Sequence, residues 1–292
     1  MSNLASLFVM NKSKSIGNLF ELSEVLKIKP QKLAYLLYVV DINSMYKVFT
    51  IPKRNDGTRT ICAPEPELKQ IQKRIDKFLR KIQNDYYHSK GINPNISHAF
   101  NKNKSIKTNS LVHTNKRYVL NIDLENFFDS FHFGRVQGFF YKNNDLPFSS
   151  NVATMLANLV CCNGKLPQGA PSSPIITEMI SNILDIRILQ LAKKYKLDYT
   201  RYADDLTFST NRKNFIDDYN VFMQKLNKCI EKNGFKTNKN KTKLMFKDSH
   251  QEVTGVTVNK FSNINRNYYK KTRSMANELL CNDECQVVNA IL

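Results

Sequence analysis

Asp198-Tyr199-Thr200-Arg201-Tyr202-Ala203-Asp204-Asp205-Leu206-Thr207-Phe208-Ser209 decides the fold. Two β-prone runs flank a short turn, which predicts a hairpin with the adjacent carboxylates of Asp204 and Asp205 at its tip. Upstream, Tyr118-Val119-Leu120-Asn121-Ile122-Asp123 alternates with a period of two and ends in a third carboxylate, so it reads as a neighbouring strand. Three Asp on neighbouring strand ends suit Mg²⁺, which takes hard oxygen ligands, keeps some of its water and leaves room for substrate phosphates. Two such ions, roughly 3.5–4 Å apart, stabilise the attacking and leaving oxygens of in-line nucleotidyl transfer. A lone Asp-Asp pair also reads as a plain turn, because Asp hydrogen-bonds its own backbone there. The rest of the chain decides for the metal site.

Outward from this centre, Tyr46-Lys47-Val48-Phe49-Thr50-Ile51 reads as a strand, Asn55-Asp56-Gly57 as a turn and Arg59-Thr60-Ile61-Cys62 as the returning strand. Lys53 and Arg59 ride on this hairpin, and such an arm folds two cations over a triphosphate; an ordinary edge hairpin with solubilising charge is the other reading. Glu67 to Tyr86 places Leu68, Ile71, Ile75, Phe78, Leu79 and Ile82 at helical spacing with Lys and Arg opposite. Phe215, Tyr219, Phe222, Leu226 and Ile230 repeat that pattern, and Gly234 follows as a stop. Residues 13–40 also look helical, with Pro30 near the start of a second apolar stretch. Acid-bearing strands backed by helices predict an α+β palm, and the hairpin and basic helices predict lobes that close on a substrate.

Forty-four Lys and Arg against 25 Asp and Glu leave +19 on 292 residues. That surplus predicts salt-sensitive attraction to a polyanion, with nucleic acid the leading candidate. It concentrates at Lys69 to Lys81, Arg212 to Lys247 and Lys260 to Arg273. Eighteen Phe, 13 Tyr and 41% apolar residues supply a sizeable core and exclude a disordered chain. With no linker or repeat, one continuous multi-lobed body is expected. The six Cys form no paired zinc knuckles; Cys281 and Cys285 alone make an incomplete site, so buried reduced thiols are expected. No apolar run of about 18 residues and no leader pattern is present, which predicts a cytoplasmic protein without a membrane span.

Three blocks in order resemble the reverse transcriptases: Asp123-Leu124-Glu125-Asn126-Phe127-Phe128, Leu166-Pro167-Gln168-Gly169-Ala170-Pro171-Ser172-Ser173-Pro174 and Tyr202-Ala203-Asp204-Asp205. The resemblance covers roughly residues 46 to 260 and implies a right-hand polymerase with an antiparallel palm sheet backed by helices. It implies an N-terminal helical extension at 1–45, fingers at 46–117, a palm at 118–260 with an inserted fingers segment around 132–170, and a short thumb at 261–292. It assigns Asp123, Leu124, Asp204 and Asp205 to two Mg²⁺, with Mn²⁺ as a substitute. It assigns Lys53, Arg59, Phe128, Gln168 and Gly169 to the incoming deoxynucleoside triphosphate. Phe128 falls where these enzymes stack a side chain beneath the sugar and exclude a 2′-hydroxyl; taken alone it reads as a core aromatic. Gln168 offers an amide, and Gly169 permits close backbone approach. Lys241, last of Gly234-Phe235-Lys236-Thr237-Asn238-Lys239-Asn240-Lys241, aligns with a residue that protonates the leaving pyrophosphate.

Two further strings resemble the bacterial retron branch: Asn109-Ser110-Leu111-Val112-His113, with Ser110 in place of an expected Ala, and Val253-Thr254-Gly255. A retron enzyme implies a cognate structured non-coding RNA, the msr-msd transcript, copied from the 2′-hydroxyl of an internal guanosine into branched RNA–DNA, the msDNA. It also implies antiphage defence with a separate effector protein, no effector domain being visible in the sequence. Arg266, Tyr268, Tyr269, Lys270, Lys271 and Arg273 mix charge with aromatic faces; the Tyr rings either meet nucleic acid or pack inward. A group II intron-like or abortive-infection reverse transcriptase shares the catalytic blocks, although no maturase or endonuclease extension follows. From another class, an idle RNA-binding scaffold has no physical need for clustered carboxylates beside a polyanion.

Overall fold

The computed structural model describes residues 16–52, 57–89 and 96–281, without the side chains of 280 and 281. Lys53, Asn55, Asp56 and Cys285, together with residues 13–15, lie outside the described residues, as does the Cys281 side chain.

The helical stretch read over 13–40 is two helices, α1 (Leu19–Leu26) and α2 (Pro30–Tyr38). Asn18 caps α1 by accepting from the Glu21 N–H at 3.1 Å, and Lys27 closes it in the left-handed region at φ 56°. Pro30 is tolerated in the first turn of α2, where its missing N–H costs no helical bond. Next come β1 (Tyr46–Pro52) and β2 (Thr58–Pro64), paired antiparallel with Ile51 opposite Arg59. The amphipathic helix α3 (Pro66–Ser89) buries the six apolar residues that its spacing predicts, Leu68 to Ile82.

Beyond it lie α4 (Ile106–Val112), β3 (Tyr118–Leu124), α5 (Phe133–Lys142), α6 (Ser150–Val160) and α7 (Ser173–Lys194). The last was missed by the sequence reading, although Ile176, Ile180, Leu184, Ile188 and Ala192 recur every four residues and all are buried. The predicted hairpin follows as β4 (Asp198–Tyr202) and β5 (Asp205–Thr210), then α8 (Phe215–Lys232), with Gly234 at φ 75° after it. The chain continues through β6 (Thr237–Phe246), β7 (Glu252–Val253), β8 (Val256–Thr257), β9 (Asn263–Ile264) and α9 (Arg266–Cys281).

The principal sheet has the order β4-β5-β3-β6, and β5 pairs antiparallel with both β4 and β3. Leu120 lies opposite Phe208, whose ring meets Tyr199 at 4.9 Å and Phe222 of α8 at 5.3 Å, so α8 covers that face. On the other face Val119 packs with Val253 and Val258, around the small sheet β7-β8-β9. Covered on both faces, β3 is apolar at more positions than the alternating pattern predicts. Each fully buried Phe here is worth about 1.5–3 kcal/mol, so the sheet is held mainly by what packs on it.

By its internal contacts the chain divides into two compact units. One comprises Met1–Asn95, Leu124–Ile188 and Lys225–Thr237; the other comprises Ile96–Asp123, Leu189–Gln224 and Asn238–Leu292.

Candidate active site

Register places the acids. Asp123, at the end of β3, is the cross-strand partner of Asp205, the first residue of β5, so their side chains rise from one face of the sheet. Asp204 precedes Asp205 in the two-residue turn from Tyr202. Leu124, fully buried, has only its main-chain carbonyl to offer a cation. Lys241, on β6, donates from Nζ to Asp123 Oδ2 at 3.1 Å; the lysine side chain is 62% exposed and the aspartate 13%. Burial, then the negative charges of Asp204 and Asp123, push the Asp205 carboxyl up to about 7, with Lys241 pulling the other way.

The turn that presents these acids is strained and braced. Ala203 sits at φ 55°, a left-handed conformation costly for a residue with a Cβ. The guanidinium of Arg201, 1% exposed, donates to the Ala203 carbonyl at 3.2 Å. The Arg201 main chain is fixed as well, donating to Ile96 O at 2.9 Å and accepting from the His98 N–H at 2.8 Å. Arg201 was read only as a strand residue. Its one warning sign was a charge within a run whose neighbours Tyr199 and Thr200 are both buried.

Behind the sheet, α4 carries the Asn109-to-His113 string as an internal buttress. His113 is fully buried, with Nδ1 at 2.7 Å from Ser209 Oγ and Nε2 at 2.7 Å from Thr200 Oγ1. Desolvation, then the charge of Lys116, holds its pKa down at about 3, so it is neutral near pH 7. Thr200 donates to Asn109 Oδ1 at 2.5 Å, and Asn109 Nδ2 lies 3.5 Å from Thr254 Oγ1. The two short signatures therefore touch. Ser110 fills the place where Ala was expected and meets Ser262 Oγ at 2.8 Å, so the added hydroxyl has a partner.

Of the residues assigned to the nucleotide, Arg59, Phe128, Gln168 and Gly169 lie in the other unit. Gln168 is half-buried, and its carbonyl accepts from the Cys62 N–H of β2 at 2.8 Å. Gly169 has φ +112°, and a Cβ there would stand 2.8 Å from Ile61 Cγ2 and 3.1 Å from Cys62 O. The close approach that demands glycine is thus made to β2. Phe128 is half-buried at the edge of an aromatic cluster, whereas Phe127 fills the core, stacked on Phe235 at 5.6 Å. Arg59 is exposed on β2. On α9 Tyr268 and Tyr269 are 65% and 52% exposed, which speaks against inward packing. Cys161 and Cys162 are buried, and desolvation first of all raises their thiols to about 12 and about 11, so both stay protonated.

Among the described residues no group of three or more His, Cys, Asp or Glu forms a ready cage for a metal ion. The donor chemistry nevertheless fits a hard divalent cation. Asp123 and Asp205 face one another, and Asp205 retains its proton near neutrality first through burial and then through repulsion by Asp204 and Asp123, a repulsion that a cation relieves. Mg²⁺ needs only one or two protein carboxylates when water and phosphate oxygens complete its shell. Among the described residues no helix is long and apolar enough to cross a membrane.

A family model described as reverse transcriptase (RNA-dependent DNA polymerase) matches residues 51–258. The chain is 32% identical to the Retron Ec86 reverse transcriptase of Escherichia coli, over 93% of this chain and 81% of that one. It is 33% identical to the Retron Mx162 reverse transcriptase of Myxococcus xanthus, over 82% of this chain but only 52% of that longer one. Among solved structures, an apo telomerase from Candida tropicalis superposes with a TM-score of 0.53 at 15% identity, covering 84% of this chain and 59% of that one. The telomerase of Candida albicans, in complex with a fragment of telomeric RNA, gives 0.51 at 15% identity over 85% and 50%. At such identities the likeness speaks for the fold, the α+β right-hand polymerase, with mixed helices and antiparallel sheets.

Proposed function

The chain belongs to the retron reverse transcriptases, RNA-directed DNA polymerases, and from that premise we propose that it copies part of a cognate msr-msd RNA into DNA. Synthesis starts from the 2′-hydroxyl of an internal guanosine, so that the product is branched RNA–DNA, made in the cytoplasm and used with a separate effector protein in antiphage defence. The observation that carries the polymerase chemistry is the cross-strand pair of Asp123 and Asp205, with Asp204 beside it in the turn.

In the proposed reaction the primer hydroxyl oxygen bonds to the α-phosphorus of a deoxynucleoside triphosphate, and the bond to pyrophosphate breaks. Asp123, Asp204, Asp205 and the Leu124 carbonyl would hold two Mg²⁺, or Mn²⁺, which when bound would supply Lewis-acid stabilisation of charge on the attacking and leaving oxygens. Arg201 and the Ala203 turn keep the acids in place without reorganisation. Lys241, whose Nζ lies 3.1 Å from Asp123 Oδ2, carries the proton for the leaving pyrophosphate. Gln168, Gly169, Phe128, Lys53 and Arg59 are assigned to the incoming nucleotide, with Phe128 selecting against a 2′-hydroxyl. On this reading residues 46–117 and the segment around 132–170 are fingers, 118–260 palm, 261–292 thumb and 1–45 an N-terminal extension.

The test is to express the chain with its native flanking DNA, recover the bound nucleic acid and treat it with RNase and a 2′,5′-debranching enzyme. Discrete single-stranded DNA whose mobility shifts on debranching is expected. Extension of a primed RNA template without branched DNA would remove the retron priming and keep the polymerase. Asp204→Asn should lower DNA synthesis by at least a thousandfold while RNA binding stays within about threefold, since it weakens cation binding and adds no clash. Retained synthesis would sink the assignment of the acids.

A further inference from the structure

A groove of about 950 Å³ opens within the unit that holds α3, α5 and the end of α8, and the polymerase reading gives it no role. It lies at the upper end of the roughly 300–1,000 Å³ of ordinary ligand sites. One wall is aromatic and apolar: Tyr86 and Tyr87 of α3, Phe139 of α5, and Ile183 and Ile186 of α7. Ile183 and Ile186 are 48% and 47% exposed, an unusual state for two isoleucines one turn apart. Asn144 and Asn182 line the same space, as do Gln83, whose Nε2 donates to the Tyr87 hydroxyl at 3.4 Å, and Asn143, whose Oδ1 accepts from the Asp145 N–H at 3.0 Å. Each carries both donor and acceptor, the equipment needed to meet base edges.

The lining is also cationic. Arg187 and Lys232 line the groove, where Asp145 is the carboxylate among the described lining residues, and continue into a second cavity of about 520 Å³, which Lys225 and Lys228 join and which no carboxylate among the described residues lines. Arg187 is held in place, donating from Nη1 to Asn233 Oδ1 at 2.7 Å, while Asn233 in turn donates to Cys229 O at 2.6 Å. The Asn233 carbonyl accepts from Arg135 Nη2 at 2.8 Å, and Arg135 stacks 4.2 Å from the Phe235 ring centroid. A guanidinium fixed by one of its five donors keeps the rest oriented for an oxyanion, so little rotamer entropy is lost when one binds.

We propose that this groove binds an unpaired segment of the enzyme's RNA partner, with bases against the Tyr86 and Tyr87 wall and the sugar–phosphate chain along Arg187, Lys228 and Lys232. The inference rests on the reading of the chain as an RNA-copying enzyme. Charge complementarity selects a polyanion, and a stacking wall beside amides and cations selects a nucleic-acid strand over an acidic peptide. Bound here, the RNA is anchored by residues distinct from those assigned to polymerisation.

The probe is a ten-nucleotide oligo(U) carrying 5-iodouridine, used for photocrosslinking with peptide mapping and, fluorescently labelled, for affinity against the full chain. Crosslinks at Tyr86 or Tyr87 are expected. Lys228→Gln/Lys232→Gln should weaken binding about tenfold and shallow the salt slope by about 1.4, at about 0.7 for each phosphate of a single strand that is no longer neutralised. That variant should keep its melting temperature and its extension of a short primed template, because neither lysine is assigned to the reaction. Unchanged affinity together with crosslinks confined to other peptides would overturn the proposal. Equal binding of the matching oligo(dT) would overturn RNA as the occupant and point to the DNA product, and displacement of the probe by a co-purified protein would make the groove a protein dock. If the wild-type chain extends no primer, the polymerase reading fails, and the crosslinks at Tyr86 and Tyr87 still decide the groove.

Discussion

Asp205 holds its proton to about pH 7 because it is buried beside Asp204 and Asp123. Its folded pKa stands above the unfolded value of about 3.9, so the folded state binds the extra proton, and this carboxyl costs stability as pH rises through that window. A divalent cation removes the repulsion once the group is ionised. Mg²⁺ should therefore raise the melting temperature more at pH 8 than at pH 6, and Asp205→Asn should abolish the difference between the two; an equal rise at both in the wild type would detach the proton from the ion. His113 slopes the other way, since its folded pKa of about 3 makes stability fall as pH drops below about 6.5, so comparison with Asp205→Asn isolates the carboxylate. At this scale the positions of the acids were legible because Asp123 lies at the end of one patterned strand and Asp204 and Asp205 at the turn of a patterned hairpin. Arg201 was not, since what makes it matter is a carbonyl two residues away in a turn whose dihedrals no spacing reveals. Phe127 and Phe128 are likewise indistinguishable by type; only the packing of Phe127 on Phe235, 108 positions on, separates core from edge.

Helix α4 and the β7–β8 turn form a joint between elements far apart in sequence. Thr254 at φ 47° and Gly255 at φ 82° make a tight hairpin turn, and a β-branched residue in that region is strained. Asn109 reaches both Thr254 and Thr200, so Asn109→Ala would take away the acceptor of the buried Thr200 hydroxyl, leaving it only His113 Nε2, and should destabilise by about 1–3 kcal/mol in urea unfolding. Thr254→Gly should be neutral or stabilising in the same assay, because relief of strain offsets a contact at 3.5 Å. A large loss for Thr254→Gly and none for Asn109→Ala would reverse the assignment. The β1–β2 and β4–β5 hairpins, α3 and α8 were readable from turn residues and apolar period. The Asn109-to-Thr254 contact spans 145 positions, so each signature was readable only as an isolated string. Gly169 was recognised as a site of close approach, but that its neighbour is β2 follows from tertiary packing alone.

For the whole molecule, a surplus of +19 predicts that RNA affinity falls at least a hundredfold between about 50 and 200 mM salt, as for any protein that neutralises several phosphates. A salt-independent affinity would mean that the surplus serves something other than the RNA. Nucleic-acid binding was legible from composition because charge sums without regard to fold. The division into two compact units was not, because the chain passes between them after residues 95, 123, 188, 224 and 237 with no linker composition to mark any crossing. That interleaving bears on how the protein is made. Asp205 is synthesised 82 residues after Asp123, a delay of about 4–16 s at the roughly 5–20 residues per second of translation. Strand β6, which borders Asp123's strand and carries Lys241, ends only at Phe246. Until β6 is made, the sheet lacks the strand that carries Lys241, and Asp123 lacks the cation that pairs with it.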